Sequence, residues 1–245
     1  MKNHFLCLPQ YTYPILLAQI HRLAEKYQRP YNAIKLLAVS KSQPLDKIRL
    51  LIQTAQLDLG ENYVQEGLYK ISALTPLCIS LQPQINWHFI GTLQSNKLQA
   101  IATSFDWVQT ITTIKQAEKL SYYRGLSAPN GPNLKLCIQV NISQSPQKQG
   151  VWPEVHLLSD LAQAIELLPH IELKGLMTMP DAAQGFDAQY RPLKAMAELF
   201  TELQSRHPNW DTLSMGTSQD LEAAIAAGST LLRLGTALFG PRDIK

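Results

Sequence analysis

A single (β/α)8 barrel with one extra helix ahead of it is the fold class that the sequence predicts, on three observations. Eight short runs rich in β-branched and aromatic residues alternate with longer stretches of helical period, the pattern of parallel crossover units. The chain has 245 residues, 45% of them hydrophobic, which matches one such barrel with a sizeable core. No Gly-x-Gly-x-x-Gly follows the first run, which argues against an open dinucleotide-binding sheet.

After the extra helix, strand one is read as "IKLLAVS" (34–40) and strand two as "LDLGEN" (57–62). Strands three to five are "INWHFIG" (85–91), "FDWVQTI" (105–111) and "LKLCIQVNIS" (134–143). The last three are "IELKGLMTMP" (171–180), "TLSMG" (212–216) and "LLRLGTALFG" (231–240). The helices between them show apolar residues three or four apart: from Pro153 to Leu168, residues Val155, Leu158, Leu161, Ala162, Ile165 and Leu168 share a face that packs on the barrel. "LSAPNGPN" (126–133) is short enough to be one loop, and "QSNK" (94–97) suggests an ordinary helix cap at Ser95 or Asn96. With no repeat, low-complexity tract or linker, residues 1–245 are expected to form a single domain, the barrel proper spanning about 34–242.

Composition narrows the partners. Lys and Arg number 22 against 19 Asp and Glu, a net charge of +3 that is too small and too dispersed for a nucleic-acid surface or a membrane-binding face. The N-terminus has no clean apolar core or small-residue cleavage site, and no run of apolar residues is long enough to span a bilayer. Cys7, Cys78 and Cys137 are widely spaced and lack any Cys-x-x-Cys or Cys/His pairing, so they are read as reduced thiols rather than disulfides or metal ligands. A cytoplasmic protein is expected. Trp87, Trp107, Trp152 and Trp210 are scattered and read as packing residues, and His88 as a hydrogen-bonded core histidine.

Barrels of this kind place their sites at the C-terminal ends of the strands. Strand one ends on Ser40 and Lys41, and alternation puts Lys41 on the face of Leu37 and Val39. A partly desolvated amine there would be poised to form a Schiff base with a carbonyl compound, although a lysine that simply reaches solvent is the plainer reading of this residue alone. The loops after strands seven and eight carry Gly216, Thr217 and Ser218, and Gly235 and Thr236, small and hydroxyl-bearing residues where such barrels bind phosphate. Taken singly, Ser218 could be an N-cap and Gly235 a strand glycine beside a bend. Arg233 lies on the same face as Gly235 and needs an acceptor, either a carboxylate such as Glu61 or the ring nitrogen of a ligand. Lysine, phosphate cup and ring-nitrogen partner together describe the handles of pyridoxal 5′-phosphate.

Several strings carry a further likeness. "LLAVSK", "GENYVQE" (60–66), "WHFIGTLQSNK" (87–97), "VNIS" followed by "KQG" (140–150), "GLMTMP" (175–180) and "LSMGTSQDLEAAIAAGSTLLRLGTALFGPR" (213–242) resemble, in matching order, the YggS/PROSC family of pyridoxal phosphate homeostasis proteins. The resemblance runs from about Leu36 to Arg242. It implies a monomeric barrel similar to the N-terminal domain of alanine racemase, without an established catalytic activity, acting in vitamin B6 homeostasis and amino-acid and keto-acid balance. Carried over by residue, Lys41 would hold the cofactor as a Schiff base, and Ser218, Gly235 and Thr236 would hold its phosphate. Arg233 would face the pyridine nitrogen, and Asn62 would sit beside the ring. Free amino acids, pyridoxal-phosphate-dependent apo-enzymes or a regulatory protein are the implied partners. Thr217, Leu59 and the short "DAAQ" after "GLMTMP" depart from the family pattern and bear on the rim of the pocket. The alternative is a racemase-like enzyme, which would need a second acid/base opposite the cofactor. Related racemases supply one from a separate β domain, whereas this sequence ends at Lys245 just after the eighth strand and offers only Tyr63 or His88.

Overall fold

Proline has no backbone N–H to lose at the first turn of a helix, and the first helix, α1 (Pro9–Lys26), begins with one. In the computed structural model, which describes residues 8–81 and 84–240, eight strands follow it and close on themselves in chain order. They are β1 (Lys35–Val39), β2 (Asp58–Glu61), β3 (Asn86–Phe89), β4 (Trp107–Ile111), β5 (Leu134–Val140), β6 (Ile171–Thr178), β7 (Thr212–Ser214) and β8 (Leu231–Leu234). Between them run α2 (Leu45–Ile52), α3 (Val64–Leu81), α4 (Leu98–Ser104), α5 (Ile114–Ser127), α6 (Val155–Glu166), α7 (Phe186–Gln204) and α8 (Leu221–Ala227), and α9 (Thr236–Phe239) follows β8. All neighbouring strands are parallel, and β8 returns to pair with β1, Leu37 lying opposite Arg233.

The helices form for local reasons and stay for tertiary ones. α5 opens with a capping box: Thr113 accepts from the Gln116 amide, and the Gln116 side chain accepts from the Thr113 amide. α6 buries Leu158, Ala162 and Ile165, the periodic face read from the sequence. α1 buries Leu16, Ile20, Leu23 and Ala24 and lies across α2, α8 and α9, covering the join of first and last strands. Thr12 donates to the Leu238 carbonyl there, and Lys26 and Tyr27 both donate to Glu222.

Alternation along the strands sorts the core into two parts. Leu36, Ala38, Leu59, Phe89, Leu232 and Leu234 belong to the large apolar layer between strands and helices. Trp107, Cys137 and Met177 form a small separate cluster inside the barrel. Much of the remaining interior is polar, including His88, Gln109, Ser214 and Arg233, all buried. That departs from the branched aliphatic layers usual in this architecture.

Several sequence expectations need correction. Residues 236–239, read as the end of strand eight, are the short helix α9, because the chain turns at Gly235 and leaves the sheet. Neither Ser95 nor Asn96 caps a helix: residues 95–97 form a 3-10 turn and α4 starts after Lys97 without a side-chain cap. Ser218 is not an N-cap either, since that place at α8 belongs to Asp220. Trp87, Trp107 and Trp210 are buried as expected, but Trp152 is exposed. Cys137 is a free, buried thiol, whereas Cys7 and the Cys78 side chain lie outside the described residues.

Candidate functional site

Lys41 stands in the turn that leaves β1, between two serines that are each tied down. On one side, the Ser40 hydroxyl donates to Glu61 Oε1 at 2.6 Å and the Ser40 carbonyl accepts from Lys70 Nζ at 2.6 Å. On the other, the Ser42 amide donates to Glu66 Oε1 at 2.6 Å, and Ser42 holds a left-handed φ of 60°, a conformation that costs a non-glycine residue about 1 kcal/mol or more. Lys70 joins the two sides, donating to Glu61 at 2.8 Å and to Glu66 at 2.6 Å as well as to Ser40. An ammonium has three protons, and all three are used. Burial pushes the Glu61 carboxyl above the usual carboxylate range, and the charge and hydrogen bond of Lys70 pull against it.

The sequence reading named Glu61 as a partner for Arg233, and the fold excludes it. Gly60 faces inward, where a Cβ would stand 3.3 Å from the Leu37 side chain, so Glu61 points to the other side of β2, toward α3 and Lys70. Arg233 instead donates from Nη1 to Ser214 Oγ and from Nη2 to the Thr178 carbonyl, each at 2.8 Å. Both acceptors are neutral. Burial lowers the guanidinium to about 10, with Asp220 opposing, which leaves it cationic at neutral pH.

At the C-terminal mouth of the barrel is a cavity of about 380 Å³, whose wall includes Lys41, Asn62, Ser218, Arg233, Gly235 and Thr236. The loops after β7 and β8 meet there through a hydrogen bond from the Ala237 amide to Ser218 Oγ at 3.1 Å. Thr217 is held by Asp220, whose Oδ1 accepts from both its amide and its hydroxyl at 2.6 Å. A Cβ on Gly235 would stand 3.3 Å from the Val39 carbonyl oxygen, so the two strands approach closely beside Lys41. On β2's side the fit is tighter: a Cβ on Gly91 would fall 2.0 Å from the Asn62 carbonyl oxygen. The Asn62 side-chain oxygen is buried there without a hydrogen-bond partner, an acceptor that suits a donor on a bound molecule.

The sequence reading missed the rest of the wall, notably Thr110, Gln139, Met177 and Met179. Only Gln139 and Thr110 carried a signal, as polar residues inside apolar strands. His88 is buried but does not line the cavity. Glu66 and Lys70 were also missed, because α3 brings them across a loop to Ser42 and Ser40, the neighbours of Lys41. Among the described residues, Lys41 and Arg233 are the titratable groups in the cavity wall. The arrangement offers one amine, one buried cation and several hydroxyls, Ser218 and Thr236 among them, the set expected for an aldehyde-bearing, phosphorylated heterocycle.

Comparison with known proteins agrees with this chemistry. Residues 15–243 match the family model described as the N-terminal domain of alanine racemase. The chain is 44% identical over 230 residues to the pyridoxal phosphate homeostasis protein of Vibrio cholerae, covering 93% of this chain and 94% of that one. Among solved structures it is similar to PipY of Synechococcus elongatus with PLP bound, with a TM-score of 0.73, 31% identity, and 90% and 99% of the two chains covered. A protein from Bifidobacterium adolescentis, described as unknown, superposes with a TM-score of 0.85 at 28% identity over 94% of each chain.

Proposed function

The chain belongs to the pyridoxal phosphate homeostasis family, and from that premise we propose that it binds pyridoxal 5′-phosphate as a Schiff base on Lys41 and serves as a non-catalytic reservoir, carrier or sensor of the cofactor. Ser218 and Thr236 would hold the phosphate, with Gly235 leaving room beside them. Arg233 would meet the ring nitrogen, and Asn62 would accept from the bound molecule. When bound, pyridoxal phosphate supplies an aldehyde that condenses reversibly with amines and, if its ring nitrogen is protonated, an electron sink.

The observation that carries the reading is the composition of the cavity wall. An amine for covalent holding, hydroxyls for a phosphate and a cation at the third corner line one cavity. The cation decides between carriage and catalysis. A guanidinium that is charged at neutral pH disfavours protonation of a nitrogen beside it, so the ring would remain a weak sink while Lys41 could still yield its place to a free amino acid. Racemisation also needs a second acid/base, and among the described residues the wall adds only amides, hydroxyls, thioethers and apolar groups to Lys41 and Arg233. Partners in this reading are the cofactor, free amino acids, and apo-enzymes or a regulatory protein.

The test is an absorption spectrum of the purified protein, followed by borohydride reduction and peptide mapping. A yellow protein whose reduced label maps to Lys41 is expected. A label on another lysine, or a colourless protein that cannot be reconstituted, overturns the reading.

A further inference from the structure

Five side chains from five strands form one hydrogen-bonded chain inside the barrel. Arg233 on β8 donates to Ser214 on β7 at 2.8 Å, and Ser214 Oγ lies 2.7 Å from Gln109 Oε1 on β4. Gln109 Nε2 lies 2.9 Å from Nδ1 of His88 on β3, and His88 Nε2 lies 3.2 Å from Asp58 Oδ1 on β2. The chain begins at the cavity wall and ends on the carboxylate of Asp58, the first residue of β2.

Its polarity follows from its two ends. A guanidinium only donates and an ionised carboxylate only accepts. A neutral imidazole must therefore carry its proton on Nε2 to meet Asp58, which leaves Nδ1 bare to accept the Gln109 amide. That turns Gln109 Oε1 toward Ser214, whose hydroxyl donates to it while accepting Arg233. Every link then runs from Arg233 to Asp58. A protonated imidazole breaks the order: Nδ1–H would take the Gln109 oxygen, the Gln109 amide would turn to Ser214, and the Ser214 hydroxyl would lose its acceptor beside the guanidinium.

The surroundings keep the ring neutral. Burial lowers the His88 imidazole below its ordinary value, and the hydrogen bond and charge of Asp58, then Asp106, oppose it without reversing it. Trp107 stacks on the ring with centroids 5.0 Å apart, and Lys135 places its ammonium 5.3 Å from the Trp107 centroid.

We propose that His88 is a positioning residue of the cofactor site: as the Nε2–H tautomer it fixes, through Gln109 and Ser214, the pose in which Arg233 faces the ring nitrogen of pyridoxal phosphate. The facing of the ring nitrogen rests on the function proposed above, whereas the relay stands on geometry alone. In nitrogen-15-labelled protein without cofactor, the long-range imidazole spectrum is expected to place the His88 proton on Nε2. A proton on Nδ1, or a charged ring at neutral pH, overturns the relay.

In loaded protein, His88→Phe keeps a ring against Trp107 but cannot accept from Gln109. It is expected to move the pH midpoint of the cofactor's visible band and to weaken retention about tenfold, the order of one charge-assisted bond. His88→Gln can offer an amide oxygen to Gln109 and an amide N–H to Asp58, and is expected to restore the wild-type midpoint. Identical midpoints for wild type and His88→Phe overturn the proposal. Ser214→Ala cuts the same chain one link from Arg233 and supplies that comparison if His88→Phe does not fold. Wild-type protein that takes no cofactor on Lys41 overturns the proposed function instead, and the nitrogen spectrum then decides the relay.

Discussion

Lys70 donates to the main-chain carbonyl of Ser40, the residue immediately before Lys41, at 2.6 Å. The ammonium thus holds the backbone that presents Lys41 while neutralising Glu61 beneath it. Removing one partner of a buried ion pair leaves the other uncompensated, at about 3–5 kcal/mol. Lys70→Met is expected to lower stability by that order, read from urea unfolding. Glu66→Gln disturbs the more exposed flank at Ser42 and is expected to cost less while slowing cofactor loading. Equal unfolding midpoints for Lys70→Met and wild type would show that the cluster does not hold the turn.

The proposed Schiff base separates covalent from non-covalent holding at Lys41. Charge-assisted hydrogen bonds from Ser218 and Thr236 to a phosphate are worth roughly 1.5–3 kcal/mol each and do not need the lysine. Lys41→Ala should therefore bind pyridoxal phosphate as the free aldehyde, measurable by equilibrium dialysis. Folded Lys41→Ala that binds none at high cofactor concentration would displace the phosphate from these loops.

In the proposed function, Arg233 governs what the cofactor can do once bound. Loaded wild-type protein mixed with L-alanine in heavy water should exchange its lysine for the amino acid without appreciable α-deuterium uptake. Arg233→Glu, placing an acceptor near the nitrogen, should raise that uptake. Wild-type turnover at the roughly 1 to 10³ s⁻¹ usual for enzymes would make the protein a catalyst.

Stability should fall in acid because of His88. Its folded pKa lies below the ordinary 6.5, so below that pH the unfolded chain binds a proton that the folded one refuses. The stability is complete above 6.5 and is lost progressively as pH falls toward the folded value. Asp58 adds in the same direction at lower pH: burial raises its carboxyl, but the hydrogen bonds from His88 and Asn86 outweigh it and hold the group low. Melting temperatures measured against pH should show a slope beginning near 6.5 in wild type that His88→Gln lacks.

Gly91 tests the close approach behind Asn62. An added methyl would fall 2.0 Å from the Asn62 carbonyl oxygen, and that backbone must move. Gly91→Ala is expected to cost about 1–3 kcal/mol, as overpacking does, and to weaken cofactor binding with it. Thermal melts and dialysis on the same variant would show whether the two losses go together.

The sequence was most legible where periodicity speaks. All eight strand runs contain observed strands, because alternating and continuous apolar patterns report burial directly. Lys41, Ser218, Arg233 and Gly235 could be placed at the barrel mouth because they sit at strand ends. The misreadings came from longer-range geometry. Ser218 has the look of a cap, yet Asp220 takes that place two residues on. Glu61 seemed free to reach Arg233, although one-residue alternation on β2 sends it outward. The relay was invisible because Gln109 and Ser214 meet only when β4 and β7 face each other across the closed barrel.

The pairing of β8 with β1 sets a timetable for the newborn chain. Lys41 follows the first strand, whereas Arg233, Gly235 and Thr236 come with the last, and the register that joins them sets Leu37 against Arg233 across nearly the whole polypeptide. Synthesis proceeds from the N-terminus, and contacts so distant in sequence close last. A ribosome-bound chain that has emerged only through β7 has the amine but neither the cation nor the Thr236 hydroxyl, so it has no assembled pocket in which to hold a reactive aldehyde. At the proposed site, cofactor capture would thereby be reserved for finished molecules.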